Sequence, residues 1–176
     1  MLQTIAIIII GLVGLILLLA SMMEKEYSLS SSIVINRPQN MVFDYVKHLK
    51  NQERYSKWVM ADPNVKLTYT GIDGTVGFRA AWESADKNVG VGEQEITSIK
   101  EGIGYDAEIR FEKPFKGVST ANVTTEALSS NQTKVTTTFN SKTPFPMNIM
   151  VPMIKKMLTK DMNQNSTTLK SVLENQ

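Results

Sequence analysis

The sequence predicts an α+β fold. One curved antiparallel sheet of about six to seven strands wraps around a single long C-terminal helix, and a transmembrane helix precedes both. Three observations carry this reading. A charge-free apolar run opens the chain. From Tyr27 to Asn140, apolar and polar residues then alternate in short segments, apart from a helical interlude near Gln39–Trp58. After Thr143-Pro-Phe-Pro146 the apolar spacing changes to three and four residues, and it stays so to Leu173.

The bulk numbers fit that organisation. A chain of 176 residues accommodates one domain and an appendage. A net charge of +2, with Lys and Arg dispersed, gives no footprint for nucleic acid. There is no Cys, which excludes disulfides, thiolate metal sites and thiol nucleophiles.

The first element is the anchor. Ile5 to Met23 carries no charge, and its roughly 19 residues make about 28 Å of helix, close to the hydrocarbon thickness of a bilayer. A cleaved signal peptide is the rival. Against it, no Lys or Arg precedes the run, the run is long for a signal, and Leu18-Leu-Ala-Ser21 lacks an Ala-x-Ala-like site. The expected division is an anchor over residues 1–24 and a domain over 25–176.

In the domain, Tyr27, Leu29, Ile33 and Ile35 share one face of a strand. Pro38 sits where a helix can begin, and Met41, Val42, Tyr45, Val46 and Leu49 follow at helical spacing. A second short helix is expected over 52–58. Six strands come next. They are marked by Val65-Leu67-Tyr69, by Val76-Phe78-Ala80-Trp82, by Gly90–Ser98, by Ile103 to Phe111, by Ala121-Val123-Ala127 and by Val135-Thr137-Phe139. One apolar face and one polar face describe an antiparallel meander with a solvated outer side. The last stretch, 146–173, carries Met147, Met150, Met153, Ile154, Met157, Leu158, Met162, Leu169, Val172 and Leu173. Met is flexible and polarisable, so this stripe suits either a packed core or the wall of an irregular cavity.

Several segments taken together are recognisable: Ser32-Ile-Val-Ile-Asn-Arg-Pro38, Val42-Phe-Asp-Tyr45, Trp58, and Gly77 through Trp82-Glu83. Lys87-Asn-Val-Gly-Val-Gly92, Phe111-Glu-Lys-Pro-Phe115 and Phe145-Pro-Met147 complete the set. In this order the chain from Tyr27 onward resembles the helix-grip fold of the START-like (SRPBCC) superfamily, in its polyketide cyclase/dehydrase-like branch. The resemblance implies a cavity between sheet and helix that takes an apolar or amphipathic small molecule. By the same analogy its wall includes Phe43, Trp58, Phe78, Ala80, Trp82, Ile109, Phe111 and Phe115, closed by Met150, Ile154 and Met157. Gln94 is either a polar group in that wall or a partly exposed strand residue.

Catalytic chemistry has little support. His48, the single His, stands between Lys47 and Lys50 at a helix end and reads as solvated. Glu93 and Glu95 share a strand face opposite Gln94 and Ile96, so they read as water-facing, as do Asp106, Glu108, Arg110 and Glu112. Gly90-x-Gly92 lacks the helix and Lys of a phosphate cradle, and marks a bulge or sheet bend instead. No catalytic residue, metal ligand or cofactor site is expected.

The leading expectation is a membrane-tethered module that binds a lipid-like or apolar small molecule, with residues 5–23 in the membrane and no nucleic-acid partner. The first alternative is a polyketide cyclase/dehydratase-like enzyme, for which Gln94, Tyr69 and Tyr105 are the available polar groups. The second is a tethered protein-interaction domain. The uncharged N-terminus and the family likeness point to a single-pass bacterial inner-membrane protein with its domain outside the cytoplasm.

Overall fold

The computed structural model describes residues 1–175. Helix α1 is Leu2–Met22, followed by strand β1 (Glu26–Ile35), helix α2 (Gln39–Lys47) and a 3₁₀ segment, Leu49–Arg54. Strands β2 (Lys66–Thr70), β3 (Arg79–Glu83), β4 (Val91–Lys100), β5 (Gly104–Lys113), β6 (Gly117–Ser129) and β7 (Gln132–Lys142) come next. A second 3₁₀ segment, Met147–Met150, leads into helix α3 (Val151–Glu174). All strand pairs are antiparallel, in the order β1-β7-β6-β5-β4-β3-β2.

Directly paired residues share a face, so the register identifies the concave side. One row runs Ile96, Ala107, Ala121, Phe139, Leu29 across five strands. A second runs Tyr69, Ala80, Gln94, Ile109, and a third runs Leu67, Trp82, Gly92, Phe111. The opposite face is polar. There Ser32 pairs with Thr136 through their hydroxyls at 2.9 Å, and Arg110 holds Glu93 at 2.7 Å, Glu108 at 2.5 Å and Glu95.

Helix α3 lies along β1. The Ser31 hydroxyl donates to Asn163 Oδ1 at 2.8 Å, and the C-terminal end is fixed by Arg37, which donates to the Leu173 and Glu174 carbonyls at 2.9 and 3.0 Å. These are carbonyls that the helix itself leaves unpaired. Below this end, α2 plugs the sheet with Val42 and Val46, which join Ile35, Phe78, Ile96, Tyr105, Ala107, Val135, Leu169 and Leu173 in the main core. A smaller cluster of Tyr27, Phe139, Val151 and Met162, flanked by Ile109, Ile154 and Leu158, packs under the first half of α3.

Three strand markers behave differently from expectation. Val76 and Ile103 belong to turns and are exposed, because Gly74, Gly77 and Gly102 adopt positive φ beside them and end the pairing. Ala127 is exposed, because a register shift between Ala127 and Ser129 lifts it from the core. The second short helix is a 3₁₀ segment displaced toward Leu49, with the Leu49 N–H donating to Asp73 Oδ1 at 2.8 Å.

The window Gln3–Met22 in α1 is 20 residues long and apolar enough to cross a membrane, and it is almost wholly exposed. The contacts of α1 with the domain lie at its C-terminal end. Asn148, fully buried, donates from Nδ2 to the Ala20 and Met23 carbonyls at 2.6 and 3.0 Å, while Lys155 pairs with Glu24 at 2.7 Å.

Candidate functional site

Between sheet and α3 the main core fills one end, and the smaller cluster of Tyr27, Phe139, Val151 and Met162 occupies part of the other. Along β5 the concave residues pass from Tyr105 and Ala107, which are buried, to Ile109 and Phe111, which are half-buried. Along α3, Val151, Met162, Leu169 and Leu173 are buried and Ile154 and Leu158 half-buried, while Met157 is 55% exposed and Met150, in the 3₁₀ segment before it, 43% exposed. Helix α2 fills the end near Leu173. The expected cavity is thus at least partly filled, and Trp82, Gln94, Ile109 and Phe111 remain half-buried on the concave face. Two depressions, of about 480 and 270 Å³, lie beside β1–β7–β6 at Glu26, Ser119 and Lys142, and beside α2 at Arg37, Asp44 and Tyr45.

Trp82 and Phe111 meet edge to face at 5.9 Å, and Gly92 between them leaves room for the indole. A Cβ at Gly92 would stand 2.5 Å from the Trp82 ring and 2.6 Å from the Arg110 carbonyl. A register shift at Val91/Gly92 bends β4 at this point. Gln94 is half-buried on the same face, paired with Ala80 on one side and Ile109 on the other. Its carboxamide is a hydrogen-bonding group set among apolar neighbours, able both to donate and to accept.

Trp58 sits on the rim, 39% exposed, and is held by α3. Its Nε1 donates to Asp161 Oδ2 at 3.3 Å, Lys57 Nζ donates to Asp161 Oδ1 at 2.5 Å, and the Lys57 N–H donates to Asn165 Oδ1 at 2.8 Å. A buried carboxylate needs such partners to offset its lost hydration. Asp161 was missed in the sequence, although an acid seven residues after Ile154 lies on the apolar stripe and is a visible anomaly there. Asn148 was also missed, because nothing in its local sequence says that it meets α1.

Three expected wall residues lie elsewhere. Phe78 is 1% exposed and fills the main core, stacked on Tyr69 with centroids 6.0 Å apart, because it lies at the plugged end of the sheet. Phe43 is buried on the flank of α2 under Lys47, whose Nζ is 5.3 Å from its ring centre. Phe115 is 64% exposed in the β5–β6 turn, past the end of the strand whose alternation suggested an inward direction. Trp82, Gln94, Ile109 and Phe111 share the concave face of the sheet, Ile109 and Ile154 flank the smaller cluster, Met157 is exposed on α3 and Met150 on the 3₁₀ segment before it, and Trp58 is tied to α3 through Asp161.

The closed end carries a buried tyrosine group. Burial pushes the Tyr105 phenol well above its ordinary range, and burial together with Tyr105 and Tyr45 does the same for Tyr55. Tyr69 is raised by burial first and then by its hydrogen bond to the Glu53 carboxylate. Phenols raised in the folded state keep protons that the unfolded chain releases above about pH 10. Their contribution to stability is thus complete below that pH and is lost as pH rises beyond it. The urea midpoint of the full chain should fall above about pH 10, and Tyr105→Phe should flatten that fall. An unchanged slope in the variant would contradict the assignment.

Among the described residues, no group of three or more His, Cys, Asp or Glu side chains is placed to hold a metal ion. His48 lies at the end of α2, its Nδ1 2.6 Å from the Asp44 carbonyl.

A family model described as polyketide cyclase / dehydrase and lipid transport matches residues 26–174. No curated protein matches the chain at a significant level. Solved structures share the fold. Truncated norcoclaurine synthase from Thalictrum flavum aligns at a TM-score of 0.63 and 9% identity, over 86% of this chain and 95% of that one. The same enzyme in complex with dopamine and hydroxybenzaldehyde aligns at 0.62 and 11%, over 86% and 88%. A protein from Chromobacterium violaceum aligns at 0.60 and 12%, over 84% and 96%. Identities this low establish a common fold and nothing about ligand or reaction.

Proposed function

We propose that this chain, which belongs to the polyketide cyclase/dehydrase and lipid transport family, is a membrane-tethered module for an apolar or amphipathic small molecule. In this reading residues 1–24 anchor it as a single-pass protein, with the domain outside the cytoplasm. Residues 25–176 form the binding domain. The ligand lies against Trp82, Gln94, Ile109 and Phe111 and under Met150, Ile154 and Met157, with Trp58 at the rim.

What supports the reading is the apolar surface left half-exposed on the concave face at Trp82, Ile109 and Phe111 and exposed at Met150 and Met157. A protein with nothing to bind gains by closing such surfaces on each other, whereas a binding groove keeps them apart. The Met side chains on α3 adapt their shape to an irregular guest. Gln94 suits a ligand with one hydrogen-bonding group in an otherwise apolar body.

The chain has only two Trp residues, Trp58 and Trp82, and both border the groove. Their fluorescence therefore reports this region alone. Titrating the full chain in lipid nanodiscs with a dibrominated octadecanol should quench both indoles in a saturable, one-site manner, resolved by Trp58→Phe and Trp82→Phe. Absent or linear, non-saturating quenching would overturn the reading.

A further inference from the structure

The anchor and the open end of the proposed groove meet at one edge of the domain. Strand register shows which edge it is. Glu26 at the start of β1 pairs with Lys142 at the end of β7. Across the sheet, Phe111 near the end of β5 pairs with Gly117, and Lys113 pairs with Val91, which also pairs with Glu83. The same edge thus holds the β5–β6 turn with Phe115, the β3–β4 loop and the two termini that flank α1 and the second 3₁₀ segment. The opposite edge holds the end of β6 with Leu128, the β6–β7 turn, and the plug made by α2.

The connection to α1 is short and clamped. Three residues, Met23–Lys25, separate α1 from β1, and the Thr143 N–H donates to the Lys25 carbonyl at 2.8 Å. Asn148 Nδ2 caps the last carbonyls of α1, and Lys155 pairs with Glu24. The 20-residue apolar window in α1 spans about 30 Å, the hydrocarbon thickness itself, so no slack remains to lift the domain away from the boundary. Asn148 then marks that boundary. Met153 lies at most about 9 Å beyond it, across the end of the 3₁₀ segment and the first residues of α3.

Around this clamp the surface is apolar where water would favour polar groups. Phe115 is 64% exposed, Met153 61%, Val118 56% and Phe145 46%. Lys113 and Lys116 flank Phe115 and are exposed. Amphipathic surfaces of this kind bury their apolar side chains in the headgroup–acyl boundary, with Lys at headgroup level.

We propose that this edge is a membrane-docking surface, with Phe115, Phe145 and Met153 seated in the leaflet that α1 leaves. Docked so, the groove opens onto the bilayer, and an apolar guest exchanges with the leaflet without crossing water. The proposal rests on the reading of α1 as a membrane anchor.

The absence of Cys makes site-specific labelling unambiguous. Single-Cys forms of the full chain, L12C, F115C, M153C and L128C, are labelled with bimane and placed in phosphatidylcholine/phosphatidylglycerol nanodiscs with brominated acyl chains. All four positions are exposed, so the label does not disturb the core; Leu12 is mid-span and Leu128 is on the opposite edge. Labels at 115 and 153 should be quenched several-fold more than the label at 128. If 115 or 153 is quenched no more than 128 while 12 is quenched, the docking surface is overturned and the anchor stands. If 12 is not quenched, the anchor reading fails and the docking fails with it.

Discussion

Gln94→Glu should weaken binding of the dibrominated octadecanol about tenfold at pH 7, equivalent to about 1.4 kcal/mol. The substitution is nearly isosteric, so it leaves the shape of the groove intact and changes its charge alone. Gln94 is half-buried between Ala80 and Ile109 on the concave face. A carboxylate there must keep its hydration, and an apolar guest that covers it removes that water at a cost. The probe is neutral, so lowering the pH acts on the protein alone. Desolvation raises the introduced carboxyl above the ordinary Glu value of about 4.3, and affinity should recover as the pH falls through that raised value. Wild-type affinity at pH 7 in this variant would mean that the guest does not touch Gln94.

Phe78→Ala should cost the fold about 3–5 kcal/mol, read as a lowered denaturant midpoint with Trp fluorescence as the probe. Phe78 is 1% exposed and packs among Ile96, Tyr105 and Tyr69, so its removal leaves a cavity that the rigid sheet closes poorly. Against a typical domain stability of about 5–15 kcal/mol, that is a large share. Met157→Ala should move the same midpoint by less than about 0.5 kcal/mol, since its side chain is 55% exposed. Two apolar residues that look alike in the sequence thus separate into a buried packing residue and an exposed helix residue. A small loss at Phe78 would contradict the placement of the core at the plugged end.

The architecture was legible because periodicity and punctuation are local signals. The alternation in β5 and the stripe of α3 follow from which atoms each element must bury, and Pro38, Pro114 and Pro146 stand where elements change. The proposed groove was legible only in part. Alternation tells that Phe78 and Phe111 face the same side of a sheet, yet not that α2 plugs the end where Phe78 lies. Phe115 continues the inward parity of β5 in the sequence, but the strand ends at Lys113. Asp161 and Asn148 were missed for a related reason. Their partners, Lys57, Trp58, Ala20 and Met23, are about 100 or more residues away in sequence, so no local pattern announces them.

The most direct measurement maps where an apolar guest touches the protein. A neutral long-chain alcohol carrying a diazirine is mixed with the full chain in nanodiscs, photolysed, and its adducts are located by peptide mass spectrometry. Adducts are expected on the strands bearing Ala80–Trp82 and Ile109–Phe111 and on the α3 segment bearing Ile154 and Met157, displaced by excess unlabelled alcohol. Adducts confined to α1, with none on those strands, would contradict a groove that binds apolar molecules.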